Sequence, residues 1–272
     1  MKGISVVVIV RERYEALCRT MQGLAVGPML PNELIIVHMN QAAYSLPNMP
    51  FPVRQISVYS NTNLPLAASR NAGIAIARHN RVVFLDVDCI PAMEMLMIYD
   101  QQWEDDQLLS GQVRYLSAGF GKNLITPENL MAHSITDPIR SGLVNIPYEL
   151  FWSLNFGCSK VLFTRIGGFD KRFKGYGGED TDFAFEARKN NVQIKNVPAI
   201  AYHQYHSSYS PPLNHLSDII TNANLFYSKW QIWPMDGWLM KFKEAGLIYW
   251  ENNLLKLLRT PDESELQNSM NI

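Results

Sequence analysis

Cysteine is scarce: Cys18, Cys89 and Cys158 lie far apart in a chain of 272 residues. That spacing builds neither a disulfide framework nor a cysteine metal site, and it fits a reducing compartment. Net charge is almost absent as well, at −1, which argues against a nucleic-acid partner. No apolar run is long enough to span a bilayer. The first strand-like run begins at Ile4, which is read as leaving no room for a signal peptide. The expectation is a cytoplasmic protein, with peripheral contact at the inner face of a membrane as its furthest excursion. Two phosphate-binding signatures are also missing. Neither Gly-x-Gly-x-x-Gly nor Gly-x-x-x-x-Gly-Lys follows any strand-like run, so a dinucleotide-binding Rossmann domain and a P-loop are disfavoured.

Hydrophobic content of 47% is ordinary for a globular protein with a sizeable core. The apolar runs Ile4–Val10, Leu34–Val37, Val53–Val58 and Val82–Leu85 read as buried strands. Helical stretches at about Tyr14–Leu24 and Ala67–Ala77 alternate with them. The alternation predicts an α/β fold with right-handed crossovers and a mostly parallel central sheet. Pro91–Trp103 reads as a helix opened by proline, and Leu108–Val113 as a strand. From Ser117 to Pro147 the pattern fails, apart from a weak helix near Asn129–Ser134. A segment of this kind is either a binding loop or a surface excursion. Strand character returns at Phe151–Phe156, Gln193–Asn196 and Ala199–Tyr202. Beyond Leu213 two helices are expected, Leu213–Trp230 and Met235–Leu258, with a frayed polar tail from Pro261. Trp230, Trp233, Trp238 and Trp250 alternate there with lysines. A membrane-surface face, a sugar-stacking wall and packing onto the core all fit that composition. The expected division is a domain at 1–210, with halves 1–115 and 116–210, and a helical extension at 211–272.

Chemistry concentrates in three places. Asp86 and Asp88 follow the fourth apolar run directly. In an extended chain they aim to one side, at the strand end where open α/β sheets bind ligands. Two adjacent carboxylates call for a cation or a donor between them, and Mg²⁺ or Mn²⁺ is the simplest choice; a solvated turn is the alternative. The second place is Gly175-Tyr176-Gly177-Gly178-Glu179-Asp180-Thr181-Asp182. Acids in a first helical turn are favoured by the helix dipole, but that does not account for the glycines, whose backbone freedom suits a mobile loop or close ligand approach. The third is His203-Gln204-Tyr205-His206, where two histidines are either structural or metal ligands.

Together these motifs resemble the GT-A-fold glycosyltransferases, over about Ile4 to His206. The resemblance is to family 2 and, more closely, to the β-1,4-galactosyltransferase and polypeptide N-acetylgalactosaminyltransferase branch. Four patches carry it: Val10-Arg11-Glu12-Arg13-Tyr14-Glu15, Ser69-Arg70-Asn71-Ala72-Gly73, Asp86-Val87-Asp88 and Gly175-Tyr176-Gly177-Gly178-Glu179-Asp180. The last is similar to the galactosyltransferase Gly-Trp-Gly-Gly-Glu-Asp motif and is the most specific. Tyr176 replaces its tryptophan, Thr181 replaces a further acid, and His38-Met39-Asn40-Gln41 stands where many family 2 members carry an aspartate after the second strand.

The resemblance implies an inverting transfer of a sugar from a UDP-sugar to a hydroxyl of a glycan or glycolipid acceptor. Galactose or N-acetylgalactosamine is favoured, with glucose and N-acetylglucosamine open. It implies Mn²⁺ or Mg²⁺ at Asp88 with His206 or His203. Arg11, Arg13, Arg70, Asp86 and Gly178 would face the nucleotide and donor. Asp180 would act as general base, Glu179 would hold sugar hydroxyls, and Tyr176, Trp152 and Asp182 would face the acceptor. Two rivals stand beside this reading: a non-catalytic sugar-binding protein on a transferase scaffold, and a sugar-nucleotide pyrophosphorylase, which would carry a glycine-rich turn where Arg11-Glu12-Arg13 stands.

Overall fold

The apolar runs set the architecture: three of the four are buried on both faces, and Val53–Val58 is half-buried at the sheet edge. In the computed structural model, which describes residues 3–61, 63–121 and 123–271, strand β1 (Ile4–Val10) is buried at all seven positions. Its even-numbered valines join one hydrophobic cluster, while Val7 and Ile9 join another on the opposite face of the sheet. Helix α1 (Tyr14–Ala25) follows, then β2 (Glu33–Met39), β3 (Val53–Val58), α2 (Leu66–Ile76) and β4 (Arg81–Leu85). These four strands lie side by side in the order β3-β2-β1-β4, all parallel. This half has the crossover pattern that the sequence implies.

Beyond β4 the sheet becomes mixed. Next come β5 (Cys89–Pro91), α3 (Met95–Gln102), β6 (Leu108–Leu116), α4 (Pro127–Ala132), β7 (Ser134–Thr136), β8 (Asn155–Ser159), α5 (Lys160–Ile166), α6 (Glu179–Lys189) and β9 (Ile194–His203). The order continues β4-β8-β6-β9-β5, with β7 beside β6. Strand β8 runs antiparallel to both β4 and β6, and β9 runs parallel to β6.

Several local expectations are corrected. Pro91 belongs to edge strand β5, paired with Ala201, where a residue without an N–H is tolerated; the helix starts four residues later. Phe151 is a buried loop residue, and the strand begins only at Asn155. The two short strands expected around Pro198 form a single β9, whose ladder with β6 is irregular between Gly111 and Val113. The segment expected to hold a helix near 129–134 has it at Pro127–Ala132, capped by Thr126.

The C-terminal part departs furthest. It holds β10 (Ser208–Tyr209), α7 (Leu216–Trp230), α8 (Asp236–Glu244), β11 (Ile248–Glu251), β12 (Leu254–Leu257), α9 (Glu263–Ser269) and β13 (Met270–Asn271). The second helix does not run to Leu258. Gly246, at φ 67°, breaks it, and the chain turns back as a hairpin in which Trp250 faces Leu255. The tail is not frayed: Asp262 and Glu265 form a reciprocal capping box on α9. The tryptophans are engaged in packing and hydrogen bonding. Trp233, Trp238 and Trp250 line the local core, and the Trp230 indole N–H donates to Asp182 at 2.8 Å. Among the described residues no helix is long and apolar enough to cross a membrane.

An ionic knot ties α7 to α6. Lys229 Nζ lies 2.6 Å from Asp182, 3.1 Å from Asp170 and 3.3 Å from Glu186. Asp182 is fully buried, so removing the lysine strands its charge. Lys229→Met is expected to lower stability by about 3 kcal/mol, the scale for breaking a buried pair. Urea unfolding measures it, and a change within about 0.5 kcal/mol would show the knot to be ornamental.

Candidate active site

The Asp86–Asp88 segment is a turn rather than an extension of β4. The Cys89 N–H donates to Asp86 O at 2.9 Å, and the Asp86 N–H donates to Leu154 O at 2.8 Å. From α1, the Thr20 hydroxyl reaches Val87 O at 2.7 Å and Cys89 O at 3.2 Å. The backbone therefore leaves the extended geometry expected of it at Asp86, while the two carboxylates still act on each other.

Asp88 faces the end of β9. Its Oδ2 lies 3.3 Å from Arg13 Nη1 and 3.4 Å from His206 Nε2. One ligand atom from each of Asp88, His203 and His206 falls within 4.8 Å of the others. Asp88 is 7% exposed, and its Oδ1 has no hydrogen-bond partner among the described residues. A buried, unsatisfied carboxylate oxygen costs free energy unless a cation or donor meets it. His203 is held neutral, its pKa lowered to about 4 by burial and then by His206 and Arg13, against the pull of Asp86. A neutral imidazole is the form that binds a metal. The three side chains fit a divalent cation, and two imidazoles with one carboxylate suit Mn²⁺ better than Mg²⁺.

Asp86 points toward Arg70 and Glu179. Burial raises its pKa to about 6, with Arg70 opposing and Asp88 adding to the rise. A shallow crevice lies here, lined by Arg70, Asp86, Ser153 and apolar side chains of β1 and β4. Arg70 is 6% exposed; its Nη1 donates to Glu179 Oε1 at 3.0 Å, and its guanidinium lies over the Phe169 ring. Arg70 and Glu179, expected to bind nucleotide and sugar respectively, thus hold each other.

The glycine loop delivers the acids. Gly175, Gly177 and Gly178 have φ of 68°, 96° and 87°, a region that L side chains avoid. A Cβ on Gly175 would also collide with the Asp218 carboxylate. Gly178 ends the loop at the N-cap of α6. Asp180 accepts the Thr181 N–H at 2.8 Å, with the Ser153 amide also turned toward it. Its pKa rises to about 7, first through burial and then through the charge of Glu179, with Arg70 opposing. Tyr176 stacks on His215 at 4.4 Å and lies 6.0 Å from Trp238. Its phenol is pushed up to about 12 by burial and then by Asp180 and Glu179.

Other expected residues lie elsewhere. Asp182 is two residues beyond Asp180, about 200° around the helix, and is buried against Lys229 and Trp230. That places it in the scaffold, away from the acceptor. Arg11 sits at the exposed rim, 3.5 Å from Glu12. Trp152 lies beneath the Arg140 guanidinium at 4.3 Å. Unforeseen participants come from α7 and the turn before it. Asp218 Oδ2 accepts the Tyr176 N–H at 3.2 Å. The Asn222 side chain donates to the carbonyls of Lys174, Tyr176 and Gly177 and accepts the Lys174 N–H. No local motif marks these residues, which lie about forty positions downstream of the loop they hold.

Residues 140–209 match the family model described as the N-terminal domain of galactosyltransferase. A chondroitin synthase of Escherichia coli is 28% identical over a segment covering 51% of this chain and 25% of that protein. A validoxylamine A glucosyltransferase of Streptomyces hygroscopicus is 35% identical over 19% of this chain and 12% of its own length. The chain thus spans a quarter or less of the curated relatives it matches. Among solved structures, the S. aureus TarS 1–349 structure superposes with a TM-score of 0.52 at 15% identity, covering 81% of this chain and 64% of that one. GalNAc-T7 with UDP, GalNAc and Mn²⁺ gives 0.55 at 12% identity, covering 90% and 57%. The chain has the GT-A fold of these solved structures and matches the galactosyltransferase family model over residues 140–209.

Proposed function

We propose that the chain is a metal-dependent inverting glycosyltransferase, moving galactose or N-acetylgalactosamine from a UDP-sugar to a glycan hydroxyl. The observation that carries this reading is the presence together of a cation-shaped cluster and a carboxyl group poised near neutrality. Asp88, His203 and His206 form the cluster, and Asp180 shares with Asp86 the influence of Arg70 and Glu179. A solved neighbour of this fold holds UDP, GalNAc and Mn²⁺, which supports the same class of donor here.

Asp88, His203 and His206 would hold the divalent ion, which when bound supplies positive charge for the departing diphosphate. Arg13, beside Asp88, adds a forked donor for phosphate oxygens. Asp180 acts as the base. As the acceptor oxygen forms its bond to the anomeric carbon, the bond to the diphosphate breaks and the hydroxyl proton passes to an Asp180 carboxylate oxygen. A single displacement of this kind inverts the anomeric centre. Glu179, fixed by Arg70, presents its remaining lone pairs to sugar hydroxyls. The glycine loop over the site excludes water and so limits hydrolysis of the donor.

Because Asp180 must be ionised to take the proton, and its pKa is raised to about 7, kcat/KM is expected to climb with pH and level off above about 8. Asp180→Asn is expected to lose at least ~10²-fold in turnover while still binding UDP. A variant with near-native turnover would remove Asp180 from the chemistry. Nucleotide release from a panel of UDP- and GDP-sugars, with Mn²⁺, with Mg²⁺ and with chelator, identifies the donor. Release from one UDP-sugar that stops with chelator is expected. Release indifferent to chelator would overturn the metal assignment, and donor binding without turnover, with any acceptor offered, would favour a sugar-binding protein.

A further inference from the structure

A second pocket, small and half open to solvent, lies between β6, β9 and the segment after β7. Arg140 is its most unusual wall. The residue is 5% exposed. Its Nε donates to Asp137 Oδ2 at 2.7 Å, and its guanidinium stacks 4.3 Å above the Trp152 ring. The same guanidinium also hydrogen-bonds the Tyr115 phenol. Yet Arg140 Nη2 has no hydrogen-bond partner among the described residues. Buried guanidinium N–H groups are ordinarily satisfied, so this one marks a place for an acceptor group that arrives from outside.

The rest of the lining describes that group. Arg114 brings a second guanidinium, anchored to Ser134 by Nε at 2.8 Å and Nη2 at 3.0 Å. Asp137 is already committed: its Oδ1 takes the N–H groups of Ile139 and Arg140 and its Oδ2 takes Arg140 Nε. Two cations thus face one carboxylate, which leaves a net positive lining. Ser110, Gln112 and Asn196 add hydroxyl and amide groups, the partners that sugar hydroxyls use. Neutral hydroxyls alone do not call for a buried arginine; an oxyanion does, because a guanidinium fork matches it in charge and shape.

Position supplies the remaining link. Trp152, under Arg140, is followed directly by Ser153, whose amide faces Asp180. The cavity wall is therefore joined, through Arg140 and Trp152, to the residue that supports the proposed base. We propose that it binds the oxyanion, a carboxylate or a phosphate, of an acidic sugar unit in the acceptor, and so selects charged over neutral acceptors. The assignment to an acceptor rests on the transferase reading; the anion site itself does not.

The test is calorimetric titration of the full-length chain with three probes: methyl β-glucuronide, glucose 6-phosphate and methyl β-glucoside. At least one anionic probe is expected to bind ~10-fold or more tightly than the neutral one, the scale of a charge-assisted hydrogen bond, and the tighter of the two names the anion. Arg140→Gln is expected to erase the preference, and Arg140→Lys to retain part of it because the charge remains. Equal binding of charged and neutral probes, no binding of any, or a preference that survives in Arg140→Gln would overturn the proposal. The wild-type comparison needs no variant to fold. Nucleotide release with no anion preference would sink this site alone, whereas an anion preference without nucleotide binding would sink the transferase reading and leave the anion site standing.

Discussion

Lys229 stands among three carboxylates, and the placement of the proposed base depends on it. Helix α6 carries Asp180 on one side and Asp182 on the other, and the lysine with Trp230 seizes the second. The rotation of α6 about its axis is thereby set from outside the helix. Asp180 then faces the cleft, where burial and the neighbouring Glu179 lift its pKa. A helix held only by its apolar face tolerates small rotations; one held by a buried ion pair with fixed hydrogen-bond directions does so far less.

The same economy is seen across the cleft. Thr20 ties the turn after β4 to α1, and Arg70 and Glu179 restrain each other. The metal-shaped cluster is assembled from two chain segments, the turn after β4 and the end of β9. These are brought together by β5, which pairs Cys89 with His203, and by the Gln204 N–H, which donates to Asp88 O at 2.7 Å. The short edge strand is thus a positioning device for the histidines.

Some of this could be read in the sequence and some could not. The strand ends, the acid pair, the glycine loop and the two histidines are local signals, and the structure groups Asp88 with both histidines. Periodicity failed where tertiary pairing overrode it. Pro91 reads as a helix start because nothing local reveals that Ala201 lies opposite. Residues 248–257 keep an apolar rhythm that passes for helix, and Gly246 is the stop. Asp86 and Asp88 read as extended because the turn hydrogen bond at Cys89 leaves no mark in residue types. Asp182 belongs with its neighbours by proximity in the chain, and only the distant Lys229 separates their roles. Arg140 carries no sequence signal, since its significance lies in an unmet hydrogen bond.

The glycine loop has a property that follows from a single side chain. Asn222 bonds to Lys174, Tyr176 and Gly177 at once, while Asp218 takes the Tyr176 amide and the Asn63 side chain. A loop tethered at scattered points frays one contact at a time. Here three residues of the loop share one amide on one helix, so a single side chain outside the motif anchors it.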